Sequence, residues 1–221
     1  MMTMGEFIRR TDEIKPNAYS LGQKAAWLGE MEGQIWTELL LQPAGDWDSV
    51  THAQRPLLLP EVWQRLYSAY LAAMIDLANG EYTKYSNAMA LYNGQVQEFA
   101  AWYGENFRPA DRPARWMHMG SLCAGETKKA LRALPEKAAV LAAVCRVTEA
   151  FEDGESLSAG TENAPEVLMQ TGDIRPGTAG SYRVQRLWLP GSGARSLWAF
   201  AEGASPAGQA EFWLRIQPGK D

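Results

Sequence analysis

The chain has 221 residues, 46% of them hydrophobic and 21% charged, with 21 Lys and Arg against 26 Asp and Glu for a formal charge of −5. That composition fits a globular protein with one large domain or two small ones and excludes a disordered tail. No apolar run approaches the roughly 18 to 20 residues of a bilayer span, so no membrane partner is expected, and an acidic balance argues against a main role in gripping nucleic acid.

The opening residues MMTMGEFIRRTDE carry charge and lead into no apolar run, so no leader is expected. The two cysteines, Cys123 and Cys145, form no disulfide framework and no CxxC motif, which fits a reducing cytosolic origin.

The hydrophobic period changes partway along the chain. Residues 1–107 read as helix, residues 108–116 as a Pro/Arg linker, and residues 117–221 as short strands separated by Gly- and Pro-containing turns. The expected fold is α+β in two domains: an N-terminal bundle of three to four helices, then a small antiparallel β-sandwich or jelly roll.

Thr3 is placed to cap a short helix over residues 3–13, stopped by Lys15-Pro16-Asn17. Ser20 then caps a longer helix to about Gln42, with Leu21, Ala25, Leu28, Met31, Ile35 and Leu39 on one face. Residues 43–60 have no helical period and are expected to be a long loop, of a length that is usually functional or mobile. Pro60 or Glu61 opens the next helix, which Asn79-Gly80 closes, and Glu81 places an acidic group at the positive end of the last one. On that helix Tyr82, Tyr85, Met89, Tyr92, Val96, Phe99 and Tyr103 recur three and four apart. This is a seam for helix-on-helix packing, within the subunit or between subunits.

In the second half a strand is expected over residues 138–150, with Val140, Ala142 and Val144 on one face and Leu141, Ala143, Cys145 and Val147 on the other. Both faces are apolar, so this strand should be central. Further strands are expected over 156–159, 166–169, 182–189, 196–201 and 209–216. In the last of these Phe212, Leu214 and Ile216 face the core, while Trp213 and Arg215 point outward as candidate contact residues.

Chemistry is sparse. The two histidines, His52 and His118, stand in or beside expected loops, and no HExxH, GxSxG or P-loop pattern occurs. His118, Cys123 and Cys145 fall short of the four ligands of a structural zinc site, and Asp46-Trp47-Asp48 lacks the further acids of a calcium loop. No cofactor, no metal and no enzymatic activity are expected. The charge is uneven: residues 1–107 sum to −6 and residues 108–221 to +1.

Three stretches carry a resemblance: Lys15-Pro16-Asn17-Ala18-Tyr19-Ser20; then Lys24-Ala25-Ala26-Trp27-Leu28 with Glu32-Gly33-Gln34-Ile35; and the run from Met74 through Ala78-Asn79-Gly80-Glu81 to Asn87. Over residues 4–110 the chain resembles head-tail connector, or adaptor, proteins of tailed bacteriophages. Residues 146–161 and 203–212 separately resemble small β domains of phage virion proteins.

The resemblance implies a structural virion protein of the neck or collar, assembled in the host cytoplasm. It implies a homo-oligomeric ring, commonly of twelve copies, beneath the portal protein, with a tail or tail-completion protein, and a fibre protein, as further partners. Packaged DNA would pass through the lumen without specific binding, which an acidic ring wall favours. On this reading Asp46, Trp47, Asp48 and Arg55 form a portal-docking loop, and Trp213 and Arg215 contact the tail or a fibre. The alternative is a receptor- or glycan-binding module in which Trp188, Trp198 and Trp213 stack on sugar rings.

Overall fold

A computed structural model describes residues 2–43, 52–107, 109–152, 155–190, 195–203 and 205–220. The chain divides into two compact units, Met1–Ala110 and Asp111–Asp221. The first is helical and the second is built from two antiparallel sheets, so the α+β architecture is the one expected.

The helical unit opens with α1 (Met4–Ile14). The Thr3 hydroxyl accepts from the Glu6 backbone N–H while the Glu6 carboxylate accepts from the Thr3 N–H, a reciprocal box that satisfies two otherwise orphan donors. Ser20 caps α2 (Leu21–Gln34) by accepting from the Gln23 N–H. The expected continuation to Gln42 as a single α-helix does not occur. The Thr37 hydroxyl bonds back to the Gly33 carbonyl at 2.9 Å, and the chain widens into a π-helical turn over Ile35–Leu39.

Residues 44–51 lie outside the described residues, but the end of the expected loop is far from free. A 3₁₀ turn, His52–Gln54, fits against α1 because Gly5 has no Cβ, which would stand 2.7 Å from the Ala53 carbonyl oxygen. Thr3 and Pro56 form an isolated antiparallel bridge, and Leu57, Leu58 and Leu59 are buried. Three leucines between two prolines show no period, so their share of the core is visible only in three dimensions.

A 3₁₀ turn, Glu61–Trp63, leads into α3 (Arg65–Ala78), and Gly80 takes the left-handed conformation, φ +74°, that lets the chain reverse into α4 (Tyr82–Phe107). Aromatic pairs hold this corner: Tyr70 of α3 packs on Tyr92 of α4 at 5.0 Å, and Trp63 of the preceding turn packs on Phe99 of α4 at 5.2 Å between ring centroids.

The second unit contains β1 (Arg115–Cys123), β2 (Lys128–Ala130), β3 (Ala139–Glu149), β4 (Ser156–Thr161), β5 (Ala164–Met169), β6 (Gly180–Trp188), β7 (Trp198–Glu202) and β8 (Gln209–Gln217). The sheet orders are β1-β8-β3-β6 and β2-β7-β4-β5. Strands pair 1 with 8, 2 with 7, 3 with 6 and 4 with 5, as in one long hairpin rolled up until 3 meets 8 and 4 meets 7. This is an eight-stranded jelly roll. Its core draws Leu122, Val140, Cys145, Phe212 and Leu214 from one sheet and Leu157, Leu168, Met169 and Ala199 from the other.

Strand β3 is central, as both its apolar faces require, but its strict alternation is broken. A bulge between Val140 and Ala142 puts Val140 in the core with Ala143, Cys145 and Val147, and separates it from Ala142 and Val144. Strands β1 and β2 are additions to the sequence reading. Arg115 and Trp116, read there as linker, pair with Ile216 and Arg215.

Candidate docking face of the jelly roll

Along β8 the residues Ala210, Phe212, Leu214 and Ile216 are buried, and Trp213 and Arg215 lie half-buried on the opposite face. Register assembles their neighbours. Trp213 is flanked by His118 on β1 and Val144 on β3; Arg215 is flanked by Trp116 and Ala142; and Arg183 on β6 stands beside Val144.

The His118 and Trp213 rings are 4.7 Å apart. The guanidinium of Arg215 lies 5.9 Å and that of Arg183 5.5 Å from the centroid of the Trp116 ring, so two cations share one indole. Arg183 starts three strands away, with β8 and β3 between it and Trp116. Burial, then the like charge of Arg183, holds the Arg215 pKa below the ordinary guanidinium value. Trp116 is 38% exposed, and His118 and Arg183 are also exposed. The face thus combines two cations with aromatic rings that reach solvent.

The sequence reading found Trp213 and Arg215 but missed Trp116, His118 and Arg183. The only local signal was the spacing of Trp116 and His118, two apart, followed by a bulge before Gly120 that ends the alternation.

The other tryptophans do not join this face. Trp188 packs on the core, and Trp198 lies in the second sheet under the Lys128 ammonium, 4.2 Å from its ring centroid, which Glu162 also pairs at 2.6 Å. The three rings of a sugar-stacking platform therefore do not share one face. His118, Cys123 and Cys145 likewise stand apart: Cys145 is buried in the core, where burial pushes its thiol up to about 12, while His118 and Cys123 are exposed on β1. Among the described residues no group of three potential metal ligands occurs.

In the helical unit the seam divides. Tyr92, Phe99 and Tyr103 are buried; Tyr85, Met89 and Val96 are half-buried; and Tyr82 is 69% exposed, with neighbouring Leu91 at 57%. Of the loop residues, Arg55 is exposed and its carbonyl accepts from the Met4 N–H at 2.8 Å, whereas Asp46, Trp47 and Asp48 lie outside the described residues.

Two polar networks hold this unit. Lys15 donates to Asp76 and to the Ala72 carbonyl, and Lys24, itself buried, donates to both Asp12 oxygens at 2.6 and 2.7 Å. Glu32, fully buried, accepts from Tyr67 and from the Leu58 N–H at 2.8 Å, and Tyr67 accepts from the Leu59 N–H. Burial pushes the Glu32 carboxyl up to about 7 against the pull of these hydrogen bonds and of Arg55. Glu30 and Glu38 are exposed carboxylates. Burial, then the charge of Glu30, raises the Tyr70 pKa, and burial, then Tyr70 and Glu38, pushes that of Tyr92 up to about 12.

No helix among the described residues is long and apolar enough to cross a membrane. No family model matches the chain, and no curated protein matches it. Among solved structures it is similar to a chain of the cyanophage Pam1 capsid asymmetric unit, at 13% identity and TM-score 0.37, over 48% of this chain and 83% of that one. It is also similar to a chain of the acid-stable capsid of Helicobacter pylori bacteriophage KHP30, at 14% identity and TM-score 0.35, over 47% and 91%. A third likeness, at 14% identity and TM-score 0.30 over 49% and 86%, is to the capsid of Ralstonia phage GP4. Likenesses at that level fix neither a family nor a role.

Proposed function

We propose that this chain is a structural protein of a tailed-phage virion and works as a head-tail connector. Its helical unit joins copies into a ring under the portal, and its jelly roll supplies a docking surface for tail components. The observation that carries the reading is the divided stripe on α4. Its later half is consumed against α3, while Tyr82 and Leu91 remain exposed and Tyr85 and Met89 only half-covered, as a helix does when it has a second neighbour to meet.

Two further features agree with it. The runs on which the connector resemblance rests are tied to one another by Lys15–Asp76 and by Tyr19–Asn79, so they form one structural unit. The −6 charge of residues 1–107 suits a wall past which DNA slides.

The test is to mix the purified chain with portal particles from the same genome and image the product in negative stain. A ring of added density at the tail-proximal end is the expected result, and deletion of residues 108–221 should keep that ring while abolishing tail joining. Portal particles that gain no density overturn the connector role.

A further inference from the structure

Helix α4 buries one face and leaves the opposite face bare. Tyr92, Phe99 and Tyr103 are buried, whereas Asn87, Ala90, Gly94, Gln97, Ala101 and Gly104, three and four apart on the far side, are all exposed. Along one edge of the exposed face runs a row at seven-residue intervals, Lys84, Leu91 and Glu98. Leu91 is 57% exposed, and the two charged side chains are 67% and 61% exposed. A basic, an apolar and an acidic residue at equal spacing form a row that is its own complement when reversed.

We propose that two copies of this chain pair antiparallel through the outer face of α4, about a two-fold axis beside Leu91. Residues seven positions before and after Leu91 then lie level, so Lys84 of each copy meets Glu98 of the other, about 10 Å to either side of a Leu91–Leu91 contact. A two-fold that reverses the helix keeps this edge on the same side of the contact in both copies. A parallel pair would set it on opposite sides and lose both ion pairs.

Within one chain Lys84 pairs with Glu81 and Glu98 with Arg65, exposed pairs of a kind that adds little by itself. The contact strings these four charges into one line of alternating sign, Arg65, Glu98, Lys84, Glu81. The small residues of the face let two backbones come close. A Cβ on Gly94 or Gly104 would meet nothing within 4 Å, so neither glycine is needed inside the unit, although each weakens an exposed helix. A close second helix gives their missing side chains a use.

Such a pair is isologous and closed, so it is a separate assembly from the ring and does not depend on it. On the connector reading it has a consequence, because it covers Leu91: a paired copy cannot offer that side chain to a ring neighbour, and pairing holds the chain back until the portal competes for it.

The experiment is sedimentation equilibrium of the full chain at low and high salt, with circular dichroism confirming that each variant is folded. The wild-type chain should form a dimer, and more weakly in high salt. Lys84→Glu and Glu98→Lys should each weaken it at least tenfold. The chain carrying both substitutions, and an equimolar mixture of the two single variants, should recover it, since every crossing pair is again opposite in sign. Gly94→Gln should weaken the dimer at least tenfold while leaving the helix content intact.

A wild-type chain that stays monomeric, single variants that pair like wild type, or a double variant and a mixture that both stay monomeric overturn the interface. Portal decoration is read separately. A chain that is monomeric in solution yet adds a ring to the portal overturns the pair and keeps the connector, and a chain that pairs by these criteria yet adds no ring upholds the pair and removes the connector.

Discussion

The Tyr19 hydroxyl donates to Asn79 Oδ1 at 2.8 Å, joining the segment before α2 to the residue that ends α3, sixty positions away. Lys15 makes the parallel connection to Asp76, and Asn17 links back to Asp12 at 2.7 Å. Two of the three sequence runs behind the connector resemblance are thus the two jaws of one clasp, which sets where α1 and α2 stand against the turn between α3 and α4.

The clasp gives a stability prediction. Asp76 is buried and Lys15 is about one-third exposed, so Lys15→Met strands a carboxylate without its cation. The expected loss is roughly 2 kcal/mol, below the 3–5 of a fully buried pair. Lys15→Met with Asp76→Leu should cost less than Lys15→Met alone, since the buried charge is gone. Urea titrations followed by circular dichroism decide it, and a double variant weaker than the single one contradicts the account.

Glu32 predicts a pH dependence. Its carboxyl titrates at about 7 in the native protein against 4.5 in a free chain, so between those values the native state holds the extra proton. Stability contributed by this group is complete below about pH 4.5, falls as pH rises toward 7, and is flat beyond, a change of roughly 3 kcal/mol. Glu32→Gln keeps an acceptor for Tyr67 and Leu58 and should flatten that part of the curve. Melting temperatures of both proteins from pH 4.5 to 8 test it; curves of equal slope rule it out.

Gly160 predicts a steric limit. A Cβ there would stand 2.2 Å from the Ala164 carbonyl oxygen and 2.7 Å from the Pro165 backbone, inside the β4–β5 hairpin. Gly160→Ala should cost roughly 2–3 kcal/mol, the range of overpacking. Gly172→Ala, whose Cβ meets nothing within 4 Å, should stay within about 0.5 kcal/mol of wild type. Equal melting temperatures for the two variants would remove the argument.

Thr3 predicts a smaller effect. Thr3→Ala removes the acceptor for the Glu6 N–H and should cost about 1 kcal/mol, with Thr3→Ser restoring most of it. Denaturant midpoints of the three chains are sufficient to compare.

These positions also mark what could be read from the sequence. Caps at Thr3 and Ser20, the stripe on α4 and the alternation on β8 were legible because each is written within a few neighbouring residues. Strand β1 was not, because Pro113 precedes it and its bulge interrupts the period after His118. The same holds for β3, where one extra residue moves Val140 to the other set. The cationic half of the docking face escaped for a different reason: Arg183 and Trp116 are related only through the register of three intervening strand pairings. The loop before Pro60 hid its leucines because a buried run so short carries no period.

The position of β8 bears on how the jelly roll comes into being. It lies between β1 and β3 and pairs with both, and its partner on β1 is made about a hundred residues earlier. During synthesis β1 must therefore wait unpaired on its ladder side until β8 emerges, whereas β3 and β6 can already pair. Folding of this unit is consequently gated by its final strand, and a chain cut before Gln209 has lost the centre of the sheet rather than its margin. The helical unit, complete by Ala110, precedes all of this strand pairing in the chain.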